Sequence, residues 1–371
     1  MTIPTRAQVE LAAIRHNVGV VRGAAGGAEA MAMVKADGYG HGAVRVARAA
    51  LEGGASWLGV AFLAEALTLR AAGIDAPIMV AVCPSGDDYG TGVVQGVDFG
   101  VGATWLLREI VAAAEATGRT ARIQLAADTG MTRGGATVEQ WPDLVEAALK
   151  AEAAGAVEIV GLWSHFACAD EPDHPSVRRQ IRVFKEAVEL AERAGVRPQV
   201  RHLSNSAAAL HLPEARWDLV RPGIATYGLN PAPALPDGGL RPAMTVTSKV
   251  ALVKRAAAGE GVSYGHLYTT SRETNVALIP AGYADGVPRN GTNVLELLAG
   301  GKRRTVAGRV CMDQFVIDLG DDSLAEGEEV VLFGPGDRGE PTAQEWAERT
   351  GTISYEIVTR LGGRVPRVYS E

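Results

Sequence analysis

Apolar runs of strand length recur eight times before residue 228, at 30–34, 57–62, 77–82, 97–101, 121–127, 157–163, 199–203 and 219–227. Helical patterns rich in Ala, Leu and Glu lie between most of them, at 104–117, 137–153 and 176–194, and an amphipathic stretch at 11–18 precedes the first. Strands that alternate with helices pair in parallel, because each crossover returns the chain to the same end of the sheet. Eight such units in this length fit an α/β chain that closes as a (β/α)8 TIM-like barrel, which typically takes about 250 residues. A doubly wound open sheet is the alternative. Its dinucleotide-binding form is disfavoured, because the first turn reads Gly38-Tyr39-Gly40-His41-Gly42 and not GxGxxG.

After Tyr227 the texture changes. Pro231, Pro233, Pro236, Asp237-Gly238-Gly239 and Pro242 mark a boundary. Strand-like stretches follow at 245–254, 275–279, 304–307, 315–319 and 329–333, with one helix at 343–349. Thr342 is placed to cap that helix, and Glu345 to complete a capping box. The division expected is a barrel over 1–232 and a mostly β C-terminal domain over 233–371, the first few residues being free to pack with the latter.

Barrel enzymes carry their reacting groups at the C-terminal ends of the strands. Lys35 stands there on the first strand, before a glycine-rich turn, with helical pattern resuming only at Ala43. Lysine is scarce: of 36 basic residues six are Lys, and Lys35 is the only one before Lys150. A lysine closing an apolar strand loses proton affinity as it loses water, and becomes a usable amine nucleophile or base. The ends of later strands add Asp128-Thr129-Gly130-Met131-Thr132-Arg133, Ser164-His165, His202-Leu203-Ser204-Asn205-Ser206 and Arg221-Pro222-Gly223-Ile224. Singly, each has an ordinary reading: a solvated Arg, a structural His, and Ser206 as the N-cap of the helical Ala207–Leu210 stretch. Together, a lysine, two arginines, two histidines, a serine and glycines suit an anionic cofactor with an aldehyde carbon and an aromatic ring. The second domain contributes Ser263-Tyr264-Gly265, Gly282-Tyr283, Cys311-Met312-Asp313 and Tyr355. Four of the chain's eight tyrosines fall in these motifs.

The stretch Val34-Lys35-Ala36-Asp37-Gly38-Tyr39-Gly40-His41-Gly42 closely resembles the lysine motif of bacterial alanine racemases, and the other motifs match that family in order and spacing over essentially the whole chain. The resemblance implies a two-domain enzyme of fold-type III that uses pyridoxal 5'-phosphate (PLP). It also implies a homodimer with shared active sites, each between one barrel and the β domain of the partner subunit. Lys35 resembles the lysine that carries PLP covalently, and Tyr264 the opposing base from the partner subunit. Tyr39, Ser206, Gly223, Ile224 and Tyr355 resemble the phosphate cradle, and Arg221 the partner of the pyridine nitrogen. Arg133 and the backbone of Met312 resemble contacts to the substrate carboxylate. His165 and His202 resemble links from Arg221 towards Tyr264. Tyr283 resembles part of the access channel, with Asp313 in support. The activity implied is interconversion of L- and D-alanine by two bases, supplying D-alanine for bacterial peptidoglycan.

A net charge of −7 and a pI near 5.6 argue against a nucleic-acid or membrane-surface role. Cys83, Cys168 and Cys311 are widely spaced and odd in number, so neither disulfides nor a metal site is expected. No apolar run approaches membrane-spanning length, and a cytoplasmic location is expected. Three rivals stay open: a serine or broad-specificity racemase, a fold-type III decarboxylase, and a non-catalytic PLP-binding barrel. The chain also departs from the family at Ala126, where many members have a carbamylated lysine that steadies the neighbouring arginine. Arg133, read as buried, is therefore expected to find a bound anion such as chloride, or an ordered water.

Overall fold

Runs of small and branched apolar residues, buried on both faces, make the strands of the first half of the chain. In the computed structural model, which describes residues 4–371, they are β1 (Glu29–Met33), β2 (Trp57–Val60), β3 (Ile78–Val80), β4 (Asp98–Val101), β5 (Ala121–Ala126), β6 (Val157–Trp163), β7 (Val200–His202) and β8 (Leu219–Val220). All neighbouring pairs are parallel, in the order β7-β6-β5-β4-β3-β2-β1-β8. The two ends of this sheet meet: the Asp218 N–H donates to Arg201 O at 3.1 Å and the Arg221 N–H to Ser204 O at 2.9 Å. The ring is a TIM-like barrel. Met31, Trp57, Met79, Val160, Val200 and Leu219, drawn from six strands, pack together to fill it.

The helix expected at 104–117 forms over Thr104–Thr117 and stops at Gly118, whose φ of +63° a residue with a Cβ resists. The last apolar run behaves differently from expectation. Only Leu219–Val220 pairs as strand, while Ile224–Tyr227 winds into a fully buried 3-10 turn. Pro222 has no N–H to continue a ladder, and a short buried apolar run reads alike as strand or helix.

The chain divides into two compact units, Ile14–Gly38 with Ala43–Leu240, and the chain up to Ala13 with Tyr39–Gly42 and Arg241–Glu371. The second unit is mostly β. Its larger sheet has the order Lys302–Thr305, Glu296–Ala299, Glu329–Phe333, Met244–Lys249, Arg6–Glu10, Arg367–Ser370. A smaller one joins Leu252–Ala256, Thr274–Ile279 and Phe315–Gly320. The single strand read at 245–254 is thus two strands, broken at Val250-Ala251 and divided between sheets. Arg6–Glu10 was not anticipated, since its alternation rests on two small apolar residues, Ala7 and Val9. The capping box is present: Glu345 N–H donates to Thr342 Oγ1 at 3.1 Å and Thr342 N–H to Glu345 Oε2 at 2.7 Å.

Candidate active site

Two residues beyond β1, the chain makes a left-handed turn. Ala36, Asp37, Gly38 and Tyr39 have φ of +53°, +52°, +61° and +51°. For residues with a Cβ this costs about 1–2 kcal/mol each, so the turn persists only where its surroundings impose it. Glu65 supplies one restraint: its Oε1 accepts the Ala36 N–H at 2.6 Å, while Oε2 accepts those of Ala61 and Phe62 at 2.8 and 3.0 Å. Asp37 Oδ1 accepts the Ala43 N–H at 2.8 Å, which ties the turn to the helix that follows. Lys35 therefore projects from a rigid corner. Burial first, then Arg133 and Arg221, push its pKa below the usual lysine value, opposed by Glu65. A larger share of the amine is neutral at a given pH, as a nucleophile or base requires.

Arg221, 5% exposed, lies deeper. Its Nη1 donates to His202 Nδ1 at 2.7 Å; its Nη2 reaches Ser164 O at 2.6 Å, His165 Nδ1 at 3.2 Å and Leu203 O at 3.3 Å. Its guanidinium also sits 5.4 Å over the Trp163 ring. Burial lowers its pKa to about 9. Burial, then the charges of Arg221, Arg133 and Lys35, hold His165 down to about 3; burial, then Arg221, depress His202 as well. Both imidazoles are neutral acceptors towards one cation. His202 turns its other nitrogen to Gln124 Oε1, at 2.6 Å.

Ser206 is not the cap that the sequence suggested. Asn205 takes that place, its side chain accepting the Ala208 N–H at 3.1 Å. This frees the Ser206 Oγ, which accepts from Gly223 N at 2.8 Å and Ala225 N at 3.3 Å. Serine, Gly223 and Ile224 are thereby drawn to one spot from two elements. Arg133 is exposed on the loop after β5. The reading of it as a buried guanidinium is corrected for the single chain, in which water reaches it. Ala126, at the end of β5, is 5% exposed, and its carbonyl accepts from Ala136 N at 2.8 Å.

The second unit gathers its own set. Ser263, at φ +64°, donates through Oγ to Arg309 O at 2.7 Å and sets up the turn that holds Tyr264. Tyr283 N–H donates to Cys311 O and Ala284 N–H to Met312 O, both at 3.0 Å. A Cβ on Gly282 would lie 2.2 Å from Met312 O, so only glycine permits this approach. Asp313 pairs with Arg364 at 2.7 Å, and Arg364 also grips the buried Asp285 at 2.6 Å. On these interlocked loops Tyr264, Met312 and Tyr283 are 71, 54 and 41% exposed. The Tyr39 and Tyr355 rings stand 6.2 Å apart, and burial, then Tyr355, raise the Tyr39 phenol.

Residues 9–231 match the pattern of the alanine racemase N-terminal domain and residues 243–369 that of the C-terminal domain. An alanine racemase of Frankia casuarinae is 57% identical over 98% of this chain and 95% of its own. The crystal structure of alanine racemase from D-cycloserine-producing Streptomyces lavendulae superposes with a TM-score of 0.99 at 52% identity, covering 100% of this chain and 98% of that one. That from Bacillus anthracis, solved with bound L-Ala-P, superposes at 0.91 and 37% identity, covering 100% and 96%.

The chain belongs to the alanine racemase family. It is thus an isomerase that depends on PLP. Its residues fit that cofactor: an amine of lowered proton affinity for the aldehyde, and donor-only Arg221 for a ring nitrogen that must accept. Both domains of the family are present, which sets aside the non-catalytic barrel, and the decarboxylase reading falls with the family. No helix among the described residues is long and apolar enough to cross a membrane.

Some residues that build this racemase site escaped the sequence reading. Glu65, Asp98, Gln124 and Gln180 are polar positions in apolar surroundings. Gln180 donates to Thr129 Oγ1 at 3.0 Å and His165 O at 2.8 Å, bracing two strand-end loops. The available signal was a charged or amide side chain inside an apolar strand, as in Val97–Val101 and Ala121–Ala126, since a buried polar group needs a partner.

Proposed function

We propose that the enzyme interconverts L- and D-alanine with two bases, Lys35 on one face of the substrate and Tyr264 of the partner subunit on the other. The observation that carries this is the Lys35 corner: a strained, braced turn presenting an amine of lowered proton affinity within the field of Arg133 and Arg221. PLP, when bound, supplies the electron sink that acidifies the substrate Cα proton. Lys35 would hold PLP, and its Nζ would take or return that proton. The phenol of Tyr264 does the same from the opposite side, which inverts the centre. Its 71% exposure in the single chain supports a role towards a second subunit.

Arg221 stays cationic near neutral pH, with a pKa of about 9, and only donates, so a cofactor ring nitrogen that it held would have to be an acceptor. His165, neutral and bonded to Arg221, relays that cation towards Tyr264 of the partner subunit. Arg133 and the backbone N–H of Met312 of the partner subunit bind the substrate carboxylate. Ser206, Gly223, Ile224, Tyr39 and Tyr355 would hold the phosphate. Tyr283 shapes access, and Asp313, through Arg364, steadies the Met312 loop. His202 positions Arg221.

Alanine, rather than serine or a broad set, is supported by the L-Ala-P held by the Bacillus anthracis relative. A homodimer with shared sites, a cytoplasmic location and D-alanine supply for peptidoglycan complete the reading. The working division is 1–232 for the PLP-binding barrel and 233–371 for the β domain, supported by the proline-rich stretch between the two family matches. Chiral chromatography of the purified protein with each L-amino acid tests the substrate. Turnover of serine at a rate matching alanine would overturn the assignment.

A further inference from the structure

We propose that Gln124, backed by Asp98, is a positioning residue for the racemase site: its amide fixes His202 as the neutral Nε2–H tautomer and so locks the orientation of Arg221. The role given to Arg221 rests on the function proposed above; the tautomer does not.

A chain of hydrogen bonds crosses the barrel from its catalytic mouth to the opposite rim. Arg221 Nη1 meets His202 Nδ1 at 2.7 Å, His202 Nε2 meets Gln124 Oε1 at 2.6 Å, and Gln124 Nε2 meets Asp98 Oδ2 at 2.8 Å. Asp98 Oδ1 then accepts from Arg122 Nε at 2.7 Å, and Arg122 Nη1 reaches Glu158 at 3.0 Å. His202, Gln124 and Asp98 are each 0% exposed, so water cannot take the place of any missing partner. Asp98 opens β4, and Arg122 and Glu158 lie near the starts of β5 and β6, whereas His202 closes β7.

Donors and acceptors along the chain can be assigned in one way: Arg221 and Arg122 only donate, and the bonds from both sides converge on the Asp98 carboxylate, which accepts. Facing Arg221, His202 Nδ1 must be a bare acceptor. A neutral imidazole then carries its proton on Nε2, which must find an acceptor. Gln124 meets that need only with its carbonyl oxygen forward, and this turns its NH2 towards Asp98. Asp98 receives donors on both oxygens, from Gln124 and Arg122, which oppose the burial that raises its pKa. If the amide were reversed, two donors would face each other at His202 and two oxygens at Asp98.

The surroundings preserve this arrangement. Trp163 stacks on the His202 ring, with centroids 6.1 Å apart at 5°, and its Nε1 donates to Gln124 O at 3.2 Å. Gly161 leaves space for the amide: a Cβ there would come within 3.0 Å of Gln124 Oε1. With His202 held as acceptor, Nη1 of Arg221 is pinned on one side and Nη2 on the carbonyls of Ser164 and Leu203. The guanidinium plane has no freedom to turn.

Nitrogen-15 NMR of the holoenzyme labelled at histidine reads the tautomer directly, with the His202 signals assigned through a His202→Gln variant. The expected spectrum has a protonated Nε2 and a bare Nδ1 at neutral pH. Gln124→Met, of similar volume but without an acceptor, is expected to abolish that single tautomer and to lower kcat by about tenfold or more with KM within about threefold. Gln124→Glu keeps an acceptor oxygen towards His202 but sets its other oxygen against Asp98, so a proton must be shared between the two carboxyls; the Nε2–H form of His202 is expected to be retained. A wild-type His202 protonated on Nδ1, alone or together with Nε2, would overturn the proposal. So would a Gln124→Met enzyme with an unchanged His202 spectrum and kcat. If Gln124→Met does not fold, the wild-type and Gln124→Glu spectra decide the matter. The spectrum reports on this chain of bonds whether or not the wild type racemises alanine, so the two claims fail separately.

Discussion

The barrel and the β unit hold their reacting groups in opposite ways. At the barrel mouth, side chains position side chains: Arg221 is buried and gripped by two imidazoles and two carbonyls, and Lys35 rides on a turn braced by Glu65. In the β unit, backbone positions backbone: the 282–284 and 311–312 segments bond through amides and carbonyls while Tyr264, Met312 and Tyr283 face outwards. The first arrangement tunes proton affinities, because low dielectric and fixed charges act at short range. The second presents unburied side chains at little cost to the unit's own packing, as the proposed role towards a second subunit would require.

The strongest way to break the comparison is at the two proposed bases. Lys35→Ala should lower activity by at least about 10³-fold. Borohydride treatment of the wild type should fix PLP to the peptide containing Lys35, and labelling of another lysine would remove Lys35 from its role. Tyr264→Phe should cost about 10²-fold or more in kcat, yet leave urea stability within about 0.5 kcal/mol, because the side chain is exposed. Mixing the two inactive proteins under conditions of subunit exchange should restore activity, since half the sites in a heterodimer would be intact. Demonstrated exchange without recovery would count against shared sites.

Glu65→Gln probes the barrel's side-chain bracing. An amide cannot accept from three N–H groups with both of its ends, so about 1.5 kcal/mol of stability should be lost in urea titrations. An unchanged midpoint would mean that the Lys35 turn is held by packing alone.

A smaller effect is expected from pH. His165 at about 3 and the depressed His202 stay neutral in the folded state while the unfolded chain takes up protons near 6.5. Their contribution is complete above the unfolded value and declines as pH falls below it towards the folded value. Urea midpoints should therefore drop below about pH 6.5, less steeply in His165→Gln; identical slopes would show that His165 titrates freely. The smallest effect belongs to Arg133. Since water reaches it, exchanging chloride for a larger organic anion should move KM by less than about twofold. A larger change, with anion density beside Arg133 and Ala126, would restore the bound-anion idea.

Sequence pattern alone carried the barrel, the mostly β second half, the Lys35 corner and the Thr342–Glu345 box. Each depends on contacts between near neighbours, on periodicity, or on glycine and proline as local punctuation, and these are written in order along the chain. Ser206 was legible as a residue of interest but not in its action, because Asn205 and Ser206 are equally good caps until Gly223 arrives from 17 residues away. Gln124 was invisible for a stronger version of the same reason. Its partners come from β4 and β7, 26 positions before it and 78 after. Whether a glutamine inside an apolar strand is a defect or the hub of a polar chain depends on which groups the closed barrel brings opposite it. That choice belongs to desolvation: once water is excluded, a buried donor must meet an acceptor, and only the assembled ring of strands says which one.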